Sequence, residues 1–533
     1  VRKKIVLGGM AVITILMFYW QPFFFLFSLL KSATSYWYRY SYCGIVVVLF
    51  MAATYFLTTN FEKNPYILIK ISLSFSALLL ILNYLNGEQD LTRIYYTVIF
   101  AIGSAFVVVY MIKSIDSSRH QIVVSQMLVF VFFVLEMAYG SKLQMNNYHS
   151  SDVDAYQLYV SENEQQIEEL KIYDDGIYRV TQTSTRNMSD MNITANYNEA
   201  LSNGYWSISG YTSSPDDIQR DFLDKVGYPI NGENMCIVNT SILPADSLLG
   251  VKYVLSEYPI NGLTPVSDID KYNGKAVYKN PYCLPMAFKY EKNASGDNCE
   301  EINPFLYQKQ LYSELLGEEI ELFIPLDFQI IKGNWEESVP QTYKVNIPEG
   351  EYAIYGNLPS DYSMNAILDV NQIYQTEYSC WLSPSVFYIP TRENENYATI
   401  TIKANTYDAI KEGTEQFYAL DLQKLKYVTE ILSEREAECI EIENGCAYFE
   451  VDANENENLY ISIPYDSGWT IILNGEKIQA SLFGECFYSI PLQDGKNIIE
   501  MKYEVEFLKM GIIMSVLGVI GLVIIYKKER RKN

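Results

Sequence analysis

Histidine is almost missing from this chain of 533 residues: only His120 and His149 occur. A Ser–His–Asp triad needs a histidine between nucleophile and carboxylate, and zinc sites usually draw on several, so two histidines argue against both. Among the eight cysteines, Cys43, Cys236, Cys283, Cys299, Cys380, Cys439, Cys446 and Cys486, no Cys-x-x-Cys pair occurs. A structural zinc or thioredoxin-type site therefore has little support. Basic residues are also scarce, with Lys+Arg 40 against Asp+Glu 64 and a net charge of -24. No broad positive field exists to attract nucleic acid, and none is expected as a partner. No cofactor fingerprint is evident, no metal ligand set is expected, and a divalent-cation requirement is not legible in the residues.

Long apolar runs, by contrast, are plentiful. They lie at about 5–30, 42–58, 66–86, 93–113 and 121–141, with a sixth at about 507–526; a helix needs about 20 residues to cross a bilayer. The first run is too long, and too aromatic in "FYWQPFFFLF", for a cleaved signal peptide. Pro22 is expected to kink or split it. With the N-terminus inside, Arg2, Lys3, Lys4, Lys63, Lys113, Arg119, Lys527, Lys528, Arg530, Arg531 and Lys532 fall on the inner face. Only Lys31, Arg39 and Arg93 then lie in short outer loops, eleven against three. That bias predicts both termini in the cytoplasm and 142–506 outside it, in a multi-pass protein whose membrane partners are lipids.

Residues 142–335 read as mixed α/β. "SENEQQIEELK" carries a capping box, Ser161 with Glu164 three residues on. "GIYRVTQ" has strand character, and "SSPDDIQRDFLDKVG" predicts a helix with Ser214 as cap and Pro215 at its first position. "SLLGVKYVLSEY" predicts a helix end, a glycine stop and a buried strand. From about 336 the pattern becomes β, interrupted by one helix in "DLQKLKYVTEILSERE". Asn474-Gly475 is a strong hairpin signal and Asp494-Gly495 a second, suggesting a small sandwich. If this part is exported, Cys439 and Cys446 are a candidate disulfide; free thiols are the plainer account. The expected fold is thus a polytopic α-helical membrane protein of about six spans with a large extracytoplasmic α/β plus β-sandwich region. Its parts are a five-helix bundle at 1–141, an α/β domain at 142–335, a β-rich region at 336–506, a span at 507–526 and a basic tail at 527–533.

Five separated motifs resemble one family. "DSLLGVKYVLS" (246–256), "AVYKNPYCLPMAF" (276–288), "SIPYDSGWTIILNGEKI" (462–478), "YRYSY" (38–42) and "VLEMAYG" (134–140) occur in the order found in YfhO bacterial membrane proteins. The resemblance implies a relative of GT-C glycosyltransferases, enzymes that move a sugar from a polyprenyl-phosphate lipid to an acceptor outside the membrane. Here the implied acceptor is a cell-envelope polymer such as lipoteichoic acid. One departure stands out: GT-C enzymes carry an acidic catalytic residue in the first outer loop, whereas "KSATSYWYRYSY" has no Asp or Glu. Together with a start at Val1, this leads us to expect the C-terminal part of a longer family member, and no catalytic residue is carried over.

Glycosyl transfer to a hydroxyl needs a carboxylate base near the membrane and cations for the lipid phosphate. Glu88 and Asp90, in "NGEQDLTR", are candidate catalytic carboxylates, although a short exposed loop is often merely polar. Glu136, near the outer end of a span, is a third, with snorkelling to the interface as the plainer account. Arg39 is a candidate lipid-phosphate ligand, or simply a neighbour of Trp37 and Tyr38 in an aromatic belt. Trp206, Trp381 and Trp469 are candidates for stacking on sugars; core packing is the default for each, and Trp469 beside a hairpin fits the core best. Two readings compete: a GT-C-type glycosyltransferase or its C-terminal part, and a non-enzymatic envelope protein whose outer module binds glycan or a partner protein. A transporter is weaker, since five short-looped spans show no evident inverted repeat.

Overall fold

The structure is a computed structural model. It describes residues 41–58, 61, 64–86, 91–146, 153–183, 198–212, 216–231, 235–236, 240–292, 303–378, 383–391, 395–443 and 445–531, with isolated positions between 6 and 25. The chain divides into two compact units, Val1–Ser150 and Ser151–Asn533.

In the first unit the helices Ser41–Thr58, Ile67–Asn86, Leu91–Lys113 and Arg119–Met145 follow the apolar runs. The last of them continues past the boundary expected at 141. Small and hydroxyl side chains let neighbouring helices approach, as in lipid, where packing replaces hydrophobic burial. Ser72 Oγ donates to Ala101 O at 2.7 Å. Gly103 lies so near Phe132 that an added Cβ would stand 2.4 Å from Phe132 Cζ. Among the described residues, four helical stretches are long and apolar enough to cross a membrane: Ile67–Leu85, Leu91–Lys113, Arg119–Met145 and Leu508–Lys528; Gly44–Thr58 is a shorter apolar helix. Most of the run at 5–30 lies outside the described residues.

The second unit opens with the helix Val153–Tyr173. It begins well before the expected capping box: Ser161 is mid-helix, and its Oγ turns back to Leu158 O at 2.9 Å. Such hydroxyl back-bonding is the usual fate of serine inside a helix. A four-stranded sheet follows in the order Arg179–Gln182, Val251–Ser256, Ala276–Lys279, Thr264–Pro265. Its first pair is parallel and the rest antiparallel. Gly250, at φ +70, ends the preceding helix where the sequence predicts a stop.

Two β-sandwiches follow, beside a small three-stranded sheet of Gly210–Tyr211, Met235–Cys236 and Ile230–Asn231. In the first, a five-stranded sheet runs Phe328–Ile331, Gln341–Asn346, Tyr397–Ala404, Ala366–Val370, Tyr374–Tyr378. The four-stranded sheet runs Val386–Ile389, Tyr352–Asn357, Gln416–Asp421, Phe323–Pro325. Alternation fills the space between them with Tyr343, Val345, Leu368, Ile400 and Ile402 from one sheet and Ile354, Phe387 and Ile389 from the other. Tyr352–Asn357 is buried along nearly its whole length because its other face, Ala353 and Tyr355, belongs to a second core.

The second sandwich sets Glu438–Glu443, Cys446–Ala453, Gly495–Tyr503, Trp469–Leu473, Glu476–Ile478 over Ser481–Phe483, Phe487–Pro491, Glu457–Pro464, Ala287–Glu291. The last strand is supplied from far back in the chain. Asn474 (φ +53) and Gly475 (φ +85) form the expected tight hairpin between Trp469–Leu473 and Glu476–Ile478. Asp494-Gly495 does not make a second one. Its flanking strands, Phe487–Pro491 and Gly495–Tyr503, lie in different sheets, so the turn carries the chain across the sandwich. Cys439 and Cys446 are free, as are Cys283 and Cys486. Cys439 stands opposite Phe449 and Cys446 opposite Glu443, a three-residue offset that keeps the thiols about 10 Å apart along the ladder.

Between the sandwiches lies the largest core, built on the helices Asp217–Lys225, Leu243–Leu248, Pro304–Leu316 and Leu422–Ser433. Ser214 and Pro215 lie outside the described residues; the cap of the first helix is Asp216, which accepts from Ile218 N at 2.8 Å. Leu243–Leu248 is buried throughout. Its Asp246, 0 % exposed, accepts from Tyr228 Oη and Ser241 Oγ, each at 2.5 Å. Burial pushes the Asp246 carboxyl up to about 7, against the pull of the Ser241 and Tyr228 hydrogen bonds.

Candidate functional site

In mixed α/β sheets, the carboxyl ends of parallel strands form the open end where ligands collect. Here those ends are Gln182 and Ser256. Lys275 reaches the same end through the turn Tyr272–Lys275, whose central Asn273 and Gly274 have φ +49 and +75. The next residue, Ala276, pairs with Ser256.

Lys275 is only 3 % exposed. Its Nζ donates to Gln182 Oε1 at 2.6 Å. Gln182 Nε2 in turn donates to Glu199 Oε2 and, at 3.0 Å, to Tyr205 Oη. From the helix Val153–Tyr173, Gln166 Nε2 donates to Lys275 O at 2.9 Å. Desolvation pushes the Lys275 ammonium down, while Glu199 and Glu257 pull it back up. The Tyr159 ring lies 5.9 Å from Lys275 Nζ, and its buried hydroxyl has no hydrogen-bond partner. Burial raises its pKa, and the nearby Glu199 carboxylate raises it further. On the outer rim of this cluster the segment Tyr205–Trp206 runs beside the edge strand, and Val180 N donates to Trp206 O at 2.8 Å. Tyr205 is thus tied into the buried relay while its neighbour Trp206 is 39 % exposed.

Trp206 thus presents an exposed indole at the rim of a buried polar relay. An indole face can stack on C–H groups, and a fixed amide–carboxylate–ammonium chain can hold its neighbours rigid. Among the described residues no group of three or more His, Cys, Asp and Glu could hold a metal ion.

A second convergence involves Arg179 at the start of the parallel edge strand. Its guanidinium donates to Leu249 O, to Ser462 Oγ at 2.8 Å and to Ser462 O at 2.5 Å, and it lies 3.7 Å from Met286 Sδ. Leu249, Met286 and Ser462 come from 246–256, 276–288 and 462–478, three segments far apart in sequence. One cation ties them together. The family model described as "Bacterial membrane protein YfhO" matches residues 1–515. The chain belongs to the YfhO family. No curated protein matches it.

Of the residues expected from the sequence to serve a YfhO-type reaction, Glu136, Trp206 and Trp469 lie among the described residues. Glu88, Asp90, Arg39 and Trp381 lie outside the described residues. Glu136 is half-buried within Arg119–Met145, where its backbone carbonyl accepts from Tyr96 Oη at 3.0 Å. Trp206 and Trp469 sit on different sheets; Trp469 is half-buried against Tyr503, ring centroids 5.2 Å apart. Lys275, Gln182, Glu199 and Arg179 were not singled out by sequence reasoning. Asn273-Gly274 was a usable signal for the Lys275 turn, being the same dipeptide that marks the hairpin at 474–475. Nothing local marks Arg179.

Proposed function

We propose that this YfhO-family membrane protein takes part in glycosylating a cell-envelope polymer, with lipoteichoic acid the implied acceptor and sugar supplied on polyprenyl phosphate. In this reading the sheet-rich unit stands outside the cytoplasm, on the side favoured by the eleven-to-three distribution of basic residues. It holds the acceptor glycan along the Tyr205–Trp206 edge of the four-stranded sheet. The observation that carries the reading is the half-exposed Trp206 indole beside the Lys275–Gln182–Glu199 relay, in a chain matched to this family over 1–515. Bond-making is assigned to the membrane part of a GT-C-type enzyme, with Glu88, Asp90 and Glu136 as the carboxylates to test and Arg39 as the phosphate ligand.

The test compares envelope glycans in wild-type, deletion and Trp206→Ala strains. Loss of a sugar substituent on deletion, with partial loss in Trp206→Ala at normal protein levels, is expected. An unchanged profile in the deletion strain, with the purified protein still binding wall polymer, would replace this reading with that of a non-enzymatic glycan-binding envelope protein.

A further inference from the structure

The last strand, Gly495–Tyr503, lies in the middle of its five-stranded sheet, and only residues 504–507 separate it from the helix Leu508–Arg530. That short connection is hydrogen-bonded on both sides. Tyr503 N donates to Gly445 O at 2.8 Å and Glu504 N to Gly468 O at 3.0 Å. Leu508 N donates to Val505 O at 3.3 Å and Gly511 N to Phe507 O at 2.8 Å. No slack linker intervenes between sandwich and helix.

Leu508–Lys528 is 21 residues long and contains an 18-residue stretch with a mean hydropathy of 2.5, none of it buried inside the protein. At 1.5 Å per residue it spans about 31 Å, against about 30 Å for a bilayer's hydrocarbon core. A bilayer crossed by this helix would have Leu508 at one hydrocarbon edge and Lys527–Lys528 at the other. Tyr503 is five residues from Leu508, at most about 18 Å even if fully extended. Where the sandwich meets this helix, aromatic and apolar side chains are exposed: Tyr503 is 37 % exposed, and Val505 and Phe507 of the connection 56 % and 72 %. Trp469, the cross-strand partner of Tyr503, packs edge-on against it.

We propose that Trp469, Tyr503, Val505 and Phe507 form a lipid-contact rim that seats the second sandwich on the bilayer interface. Its occupant is the phospholipid headgroup layer and upper acyl chain. Indole and phenol rings, apolar in body and polar at one edge, partition to that layer, and exposed valine and phenylalanine beside them complete the apolar contact. Continuity with an apolar helix of bilayer length selects lipid over a partner protein. Trp469 is then neither simply core nor a sugar platform.

The experiment uses full-length protein in nanodiscs, with Trp20, Trp37, Trp206, Trp335 and Trp381 replaced by Phe so that Trp469 alone emits. Phospholipids brominated near the headgroup end of the acyl chain are expected to quench this emission, and those brominated near the methyl end to quench it less. Val505→Asp with Phe507→Asp, at exposed positions, should weaken the quenching while leaving the melting temperature in detergent unchanged. Should the multiple substitution not fold, the same double substitution in the otherwise native chain is expected to lower the melting temperature in nanodiscs but not in detergent. Emission indifferent to both bromolipids, or equal effects of the double substitution in nanodiscs and detergent, overturns the proposal. Protection of the rim by a protein or glycan in place of lipid would produce that outcome.

Discussion

Replacing Arg179 by Met should destabilise the sheet-rich unit more than any exposed substitution. Methionine occupies a similar volume but offers no donor, so Leu249 O and Ser462 O are left buried and unpaired; Leu249 is 3 % exposed and Ser462 0 %. Each unsatisfied buried acceptor costs about 1–3 kcal/mol. Against this, methionine avoids the desolvation that pushes the guanidinium's pKa below its ordinary value. Taking the middle of the range for two carbonyls and allowing for that offset leaves a net loss of about 3 kcal/mol. At about 2–4 °C per kcal/mol for units of this class, the melting temperature should fall by roughly 6–12 °C, towards the lower end for so large a unit. The assay is near-ultraviolet circular dichroism of the full chain in detergent, where the packed tyrosines report tertiary order. A double-mutant cycle with Ser462→Ala isolates the shared bond, and a coupling of about 1 kcal/mol is expected for groups in direct contact. A shift below about 2 °C with additive single effects would show that the guanidinium merely lies along the surface of the core and fastens nothing.

Two further outcomes follow from other buried positions. Because the folded Asp246 carboxyl is raised from 3.8 to about 7, its stabilising contribution is complete below about pH 4, declines as pH rises towards 7 and is gone above it. Unfolding free energy measured from pH 4 to 8 should therefore fall more steeply in the wild type than in Asp246→Asn, and parallel curves would refute the assignment. Gly227 has φ +103, and an added Cβ would stand 2.4 Å from Val386 Cγ2. Gly227→Ala should cost roughly 2–5 kcal/mol from left-handed strain and overpacking, read as a lowered denaturation midpoint; a neutral result would show that the Val386 strand can yield.

Where the chain signals locally, the sequence was readable. The apolar run at 507–526 became the helix Leu508–Arg530, Asn474-Gly475 became a hairpin, and "SLLG" ended a helix at Gly250. Local signals misled where a second register was equally available. Ser161 and Glu164 satisfy a capping pattern, yet the helix started earlier because Tyr159, Ile167 and Leu170 share its buried face. Asp494-Gly495 has hairpin chemistry, but the pairing of Ile499 and Met501 with Phe449 and Ala447 draws the chain into the other sheet. The candidate site was least visible. Lys275 looks like a surface lysine after a polar turn, and its burial depends on Gln182, distant in sequence; Arg179 depends on partners up to 283 positions away. Tertiary encounters of this kind leave no periodic trace.

The strand Ala287–Glu291 has a consequence for how this architecture can be divided. It forms one margin of a sheet whose other members all come after residue 456, while the strand before it, Ala276–Lys279, serves the four-stranded α/β sheet. A fragment beginning anywhere after Glu291 would leave Glu457–Pro464 with bare amides and carbonyls along one side, open to pairing with another copy. Excision, swapping or recombination of the C-terminal sandwich by itself should yield an aggregating product, and the heritable module is the whole stretch from the first helix of the second unit to the final strand.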